Sequence, residues 1–176
     1  MLLREGVGGP GPHSGEVWAD LGSGKGAFTL ALADLLGAGA VIHSLDRDER
    51  ALHAQREAVG ARFPQVSVEY RQADFADAVD LPPLDGVLMA NSLHFVEDKE
   101  PLLARVSGWL RPGGRLLVVE YDSDQGNTWV PHPMSYRAWE ALAARTGFLE
   151  TRLLRTIPSR FLSRIYSALS LAGKTG

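Results

Sequence analysis

The sequence predicts an α/β fold, a mostly parallel sheet whose strands alternate with helices. Three observations carry this. Short apolar runs suited to buried strands end in acids at Asp20 and Asp46. Segments of helical period follow each of them, over residues 26–36 and 49–62. A glycine-rich turn, Gly22-Ser23-Gly24-Lys25-Gly26, joins the first run to the first helix with no intervening loop. At 176 residues the chain is one domain, long enough for a real core.

Composition narrows the function classes. With 45% hydrophobic and 22% charged residues the chain reads as a soluble globular protein. A net charge of -3 and a pI of about 5.9 leave no basic field to hold nucleic acid, so nucleic acid is disfavoured as a partner. The absence of cysteine removes disulfides, thiolate metal sites and covalent cysteine mechanisms. His13, His43 and His53 are scattered, with no metal-ligand spacing, so no metal is expected. Neither a signal peptide nor a membrane span is readable, which makes the cytoplasm the default location. Only Lys25, Lys99 and Lys174 are lysine among 18 basic residues, a usage that suits a bacterial source.

Residues 6–15 are rich in glycine and proline, and residues 1–15 read as a flexible N-terminal arm ahead of a single domain, residues 16–176. Residues 16–20 form the first strand. In the turn that follows, Gly22, Gly24 and Gly26 let the backbone take positive φ angles and approach a ligand closely. A strand, a glycine turn and a helix N-terminus form a site for the polar part of a nucleotide-like ligand. Three motifs compete for it. The phosphate loop of nucleotide triphosphatases fails, because Ala19 stands at its first glycine and Gly26 at its magnesium-binding hydroxyl. The dinucleotide fingerprint is formally met by Gly22, Gly24 and Ala27. An Asp-x-Gly-x-Gly-x-Gly pattern is met by Asp20, Gly22, Gly24 and Gly26. Asp20 favours this third pattern, since a carboxylate would repel a pyrophosphate and attract an ammonium or sulfonium.

Residues 40–45 give a second strand ending at Asp46-Arg47-Asp48. Asp46 is placed to accept from a ribose diol, and Asp48 to cap the next helix. Residues 66–70 are a third strand, followed by Ala73-Asp74-Phe75. Residues 84–91 are a fourth, followed by Ser92-Leu93-His94. After a helix opened by Pro101, Leu110-Arg111-Pro112-Gly113-Gly114 turns into a fifth strand ending near Glu120. Ser135 caps a helix that ends near Gly147, and residues 149–157 and 161–171 read as two closing strands.

Over residues 16 to about 121 these motifs, in unbroken order, resemble the class I S-adenosylmethionine-dependent methyltransferases of small-molecule type. The resemblance implies a three-layer α/β sandwich with a seven-stranded sheet of order 3-2-1-4-5-7-6 and the last strand antiparallel. It also implies S-adenosylmethionine as cofactor. The contacts would come from Asp20, Gly22, Ser23, Gly24 and Gly26 at the turn, from Asp46 and Arg47 at the ribose, from Asp74 and Phe75 at the adenine, and from Asn91. The acceptor would be a small molecule near Asn91, Ser92, His94, Tyr121 and Asp122.

Methyl transfer from a sulfonium is an in-line displacement that demands alignment and exclusion of water. A base is needed only where the acceptor must lose a proton, and His94 and His132 are the candidates. Trp129 and Tyr136 could wall the acceptor, while Trp139, at helical spacing, reads as core. The helical cap that most small-molecule members carry before the first strand finds no counterpart, so the arm with loop 121–133, or a second subunit in a homo-oligomer, is expected to close the site. Two rivals stay open on sequence grounds: an NAD(P)-dependent oxidoreductase and a cofactor-binding module without activity.

Overall fold

A computed structural model of the chain describes residues 2–8 and 15–173. Its elements in order are α1 (Arg4–Val7), β1 (Val17–Leu21), α2 (Ala27–Leu36), β2 (Val41–Asp46), α3 (Glu49–Arg62), β3 (Ser67–Gln72), β4 (Leu84–Ala90), a 3-10 turn (Leu93–Phe95), α4 (Glu100–Trp109), β5 (Leu110–Tyr121), α5 (Tyr136–Arg145), β6 (Phe148–Pro158) and β7 (Arg164–Ala172). The seven strands form one sheet of order β3-β2-β1-β4-β5-β7-β6. The first five are mutually parallel, and β7 runs antiparallel to both β5 and β6. This is the architecture and strand order that the motifs imply.

Two apolar layers fill the sandwich. On one face Leu102, Leu103 and Val106 of α4 and Trp139, Leu142 and Ala143 of α5 pack on β4, β5 and β7. On the other, Leu32, Ala33 and Leu36 of α2, with Leu3 and Val7 beside α1, cover Trp18, Ile42, Leu88 and Leu117. The expected caps form: Asp48 Oδ1 accepts from the Arg50 and Ala51 amides, and Ser135 Oγ from the Ala138 amide. Between β3 and β4 the chain crosses without a helix. The Pro-Gly-Gly segment lies within β5, where a register shift between Leu84 and Gly86 marks it as an irregularity in the ladder.

The reading of residues 1–15 as a flexible arm is corrected over residues 2–8. Arg4–Val7 make one helical turn, with Leu3 and Val7 buried against the sheet. One turn has little stability of its own, so packing holds it. Gly6 is a glycine because a Cβ there would collide with Leu117 and Leu154, and the Arg115 guanidinium donates to the Val7 carbonyl. Residues 9–14, with most of the glycine- and proline-rich stretch and His13, lie outside the described residues.

Candidate active site

The C-terminal ends of the parallel strands converge on one edge of the sheet, where open α/β sheets place their ligands. A cavity of about 270 Å³ opens there. Of the residues expected to hold a cofactor, Gly22, Asp46, Arg47, Asp74, Phe75 and Asn91 line it. They come from the ends of four strands, β1 to β4, and the loops that follow them, so the fold gathers what the chain separates. Gly22 sits at φ 75°, and a Cβ there would come within 2.5 Å of Ser92 Cβ and 3.0 Å of the Phe75 ring. The turn therefore lies flush against two walls of the cavity.

Asp46 holds the turn as well as the cavity. Its Oδ2 accepts from the Gly24 amide at 2.7 Å and its Oδ1 from the Asp48 amide at 2.9 Å. A carboxylate oxygen has a second lone pair, so the acceptor capacity for a ribose diol remains. Asn91 has a left-handed backbone at φ 53°, fixed by its amide donating to the Val119 carbonyl at 2.8 Å. Its Oδ1 is buried without a partner on the wall of the same cavity. An orphaned acceptor of this kind fits a ligand that brings an N–H or O–H donor.

Asp20, Ser23, Gly24 and Gly26 do not line the cavity; they belong to its foundation. Asp20 is 1% exposed, and its Oδ2 accepts from Thr29 Oγ1 at 2.6 Å. Thr29 Oγ1 accepts in turn from Gln55 Nε2, and Ser44 Oγ bridges Gln55 Oε1 and Ser23 Oγ. This buried chain ties β1, α2, β2, α3 and the turn together, and Gly26 leaves the room that Gln55 fills. Burial raises the pKa of Asp20 to about 7, against the pull of the Thr29 hydrogen bond and with help from nearby Asp46. The carboxyl ties the end of β1 to α2 through Thr29.

Beside the cavity lies a second constellation. His94, 3% exposed, sits on the 3-10 turn after β4, and Glu120, 1% exposed, at the end of β5. His94 Nδ1 lies 2.9 Å from Glu120 Oε2 and 3.1 Å from Oε1. Glu120 also accepts from the His94 amide at 3.1 Å and the Tyr121 amide at 3.3 Å. A carboxylate receiving backbone donors can only accept from the ring, so Nδ1 carries a proton and Nε2 is the nitrogen that Glu120 leaves unengaged. Aromatic rings flank the imidazole: Phe95 at 4.3 Å and Tyr121 at 5.7 Å between centroids, with Phe161 6.4 Å from Tyr121.

His132 reaches this constellation only through its backbone, whose amide donates to the His94 carbonyl at 3.0 Å. Trp139 is fully buried core, as its spacing predicts, and Trp129 is 76% exposed on the loop after β5. Glu120 and Lys99 escaped the sequence reading. Glu120 carried a usable signal, since it is a third acid closing an apolar strand, after Asp20 and Asp46. Among the described residues no cluster of three or more His, Cys, Asp or Glu could hold a metal, and no helix is long and apolar enough to cross a membrane.

The model of the methyltransferase domain family matches residues 19–116, from β1 into β5. The chain belongs to that family. An O-methyltransferase, cnsE, of Penicillium expansum is 32% identical over 117 residues, which are 64% of this chain and 41% of that protein. The ubiquinone/menaquinone biosynthesis C-methyltransferase UbiE of Teredinibacter turnerae is 31% identical over 119 residues, 66% of this chain and 47% of its own length. The chain thus spans less than half of these two relatives. Among solved structures, a SAM-dependent methyltransferase from Aquifex aeolicus superposes with a TM-score of 0.70 at 17% identity, over 92% of this chain and 85% of that one. At that identity the likeness speaks for the class I methyltransferase fold.

Proposed function

We propose that this domain binds S-adenosylmethionine and methylates a small-molecule acceptor at an oxygen or carbon that must shed a proton. The His94–Glu120 pair beside the cavity carries the reading. A methyl acceptor that is already nucleophilic needs no base, whereas an imidazole held as a single tautomer by a buried carboxylate is built to take a proton. The family match and the O- and C-methyltransferases among the relatives support it. The nicotinamide reading does not explain the family match.

When bound, S-adenosylmethionine supplies an electrophilic methyl group. The residues of this chain bind and orient. Asp46 offers carboxylate lone pairs to a ribose, Asp74 and Phe75 bound the adenine side, and Asn91 Oδ1 accepts from a ligand donor. His94 Nε2 takes the acceptor's proton while Glu120 holds the ring and stabilises the imidazolium that results. Phe95, Tyr121 and Phe161 favour an acceptor with an apolar or aromatic body. The test is calorimetric titration with S-adenosylmethionine, S-adenosylhomocysteine and NAD, on the wild type and on Asp46→Ala. Binding of the first two, weakened in the variant, with silence from NAD, is the expected result. NAD binding alone would sink the proposal.

A further inference from the structure

Lys99 contradicts the local rules around it. It stands at the N-terminal end of α4, where unpaired N–H groups carry positive partial charge and a cation is unfavourable. It is 7% exposed, so its ammonium has left water. That desolvation pulls its pKa below the ordinary lysine value, while the charges of Glu120, Asp98 and Glu97 oppose the shift. A buried cation at a helix start breaks two local rules, and such violations gather at functional sites.

What it does is visible in its hydrogen bonds. Lys99 Nζ donates to the Val96 carbonyl at 2.7 Å and to the His132 carbonyl at 3.0 Å. Val96 closes the 3-10 turn that carries His94, and His132 belongs to the loop of residues 122–134. The His132 amide donates back to the His94 carbonyl at 3.0 Å. The two segments are therefore stitched together on both sides of His94, once by backbone and once by the ammonium. Glu120, which holds the imidazole, is the strongest of the charges acting on Lys99.

We propose that Lys99 is a positioning residue for methyl transfer: its ammonium straps loop 122–134 to the turn that carries His94. The inference rests on the reading of His94 as the base. A fixed loop gives the acceptor a preformed wall, and a fixed turn keeps the imidazole in one orientation against Glu120. A residue that merely filled space would be replaceable by methionine, which is unbranched, uncharged and one heavy atom shorter.

The test needs neither acceptor nor turnover. Amide hydrogen exchange at His132 and the NMR resonance of the proton on His94 Nδ1 are measured in the wild type, Lys99→Met, Lys99→Gln and Lys99→Arg, alongside S-adenosylhomocysteine titration. Lys99→Met is expected to speed His132 exchange about tenfold or more and to broaden the Nδ1 proton signal. Lys99→Gln, neutral but polar, is expected to do the same, and it decides the matter if the methionine variant does not fold. Lys99→Arg is expected to keep both features. Affinity for S-adenosylhomocysteine should stay within about twofold throughout, because Lys99 does not line the cofactor cavity. Wild-type exchange and a sharp signal in the neutral variants, or equal losses in the arginine variant, overturn the strap. Failure of the wild type to bind S-adenosylhomocysteine would instead strike the proposed function, while the exchange data still judge Lys99.

Discussion

The two halves of the site are built on opposite plans. In the cofactor half, polar groups satisfy one another: Asp20, Thr29, Gln55, Ser44 and Ser23 form a closed buried chain beneath the glycine turn. The expected site residues that line its cavity come from strand ends and turns along residues 22–91. In the other half, aromatic side chains face outward around a buried polar pair. Phe95, Trp129 and Phe161 are 54%, 76% and 67% exposed, and the His94–Glu120 pair joins residues 26 apart in sequence. The first half is pinned from within by its own hydrogen bonds, and the second leaves apolar surface open. A closed polar network specifies one geometry, whereas exposed aromatic side chains specify only a chemical class.

That contrast predicts where substitutions act. The largest effect should fall on turnover. His94→Asn or Glu120→Gln is expected to lower kcat by about 10²- to 10⁴-fold with S-adenosylhomocysteine affinity nearly unchanged; parallel loss of affinity would show that the two halves are not separable. A comparable energy is stored beneath the turn. The folded pKa of Asp20, about 7, lies above its ordinary value of 3.8, so the folded state holds a proton that the unfolded chain has released. The sign follows: the stability contribution of Asp20 is fully present below the unfolded pKa and is lost as pH rises toward 7, at about 1.4 kcal/mol per pH unit. Asp20→Asn should flatten that slope, so denaturant melts of both proteins at pH 5 and pH 8 should show the variant gaining on the wild type at the higher pH. A constant difference between them would place no proton on Asp20.

Smaller effects sharpen the boundary. Asp46→Ala removes the acceptor of the Gly24 amide as well as the carboxylate facing the cavity, and should weaken S-adenosylhomocysteine about 10- to 100-fold in titration calorimetry without a change in acceptor KM. His132→Ala should alter turnover less than about threefold, since the backbone and not the ring is engaged. A larger loss would restore His132 as a second base. Trp129→Ala should leave the melting temperature nearly unchanged, as exposed positions do, and raise acceptor KM alone.

The difference between the halves also explains what could be read in advance. The glycine turn, Asp46, Asp74, Phe75 and Asn91 were legible because each lies at a fixed step from a strand or a turn, and six of the expected residues line one cavity. Asp20 was legible as the acid closing the first strand but not in its burial, which depends on Thr29 and Gln55 from two other elements. Residues 2–8 were misread because a single helical turn leaves almost no periodic signal and exists only where Leu117 and Leu154 receive it. Glu120 was passed over although it closes an apolar strand as Asp20 and Asp46 do, and Lys99 because nothing near it in sequence requires a cation.

The sequence by itself determined the α/β fold and the family, because strand period, turn chemistry and helix caps are local interactions written in consecutive residues. Only the tertiary structure decided which histidine has a carboxylate behind it, and that a lysine at a helix start reaches across to a loop more than thirty residues away. Those pairings are made between strand ends and loops that the crossovers of a parallel sheet bring together, and chain separation carries no record of them.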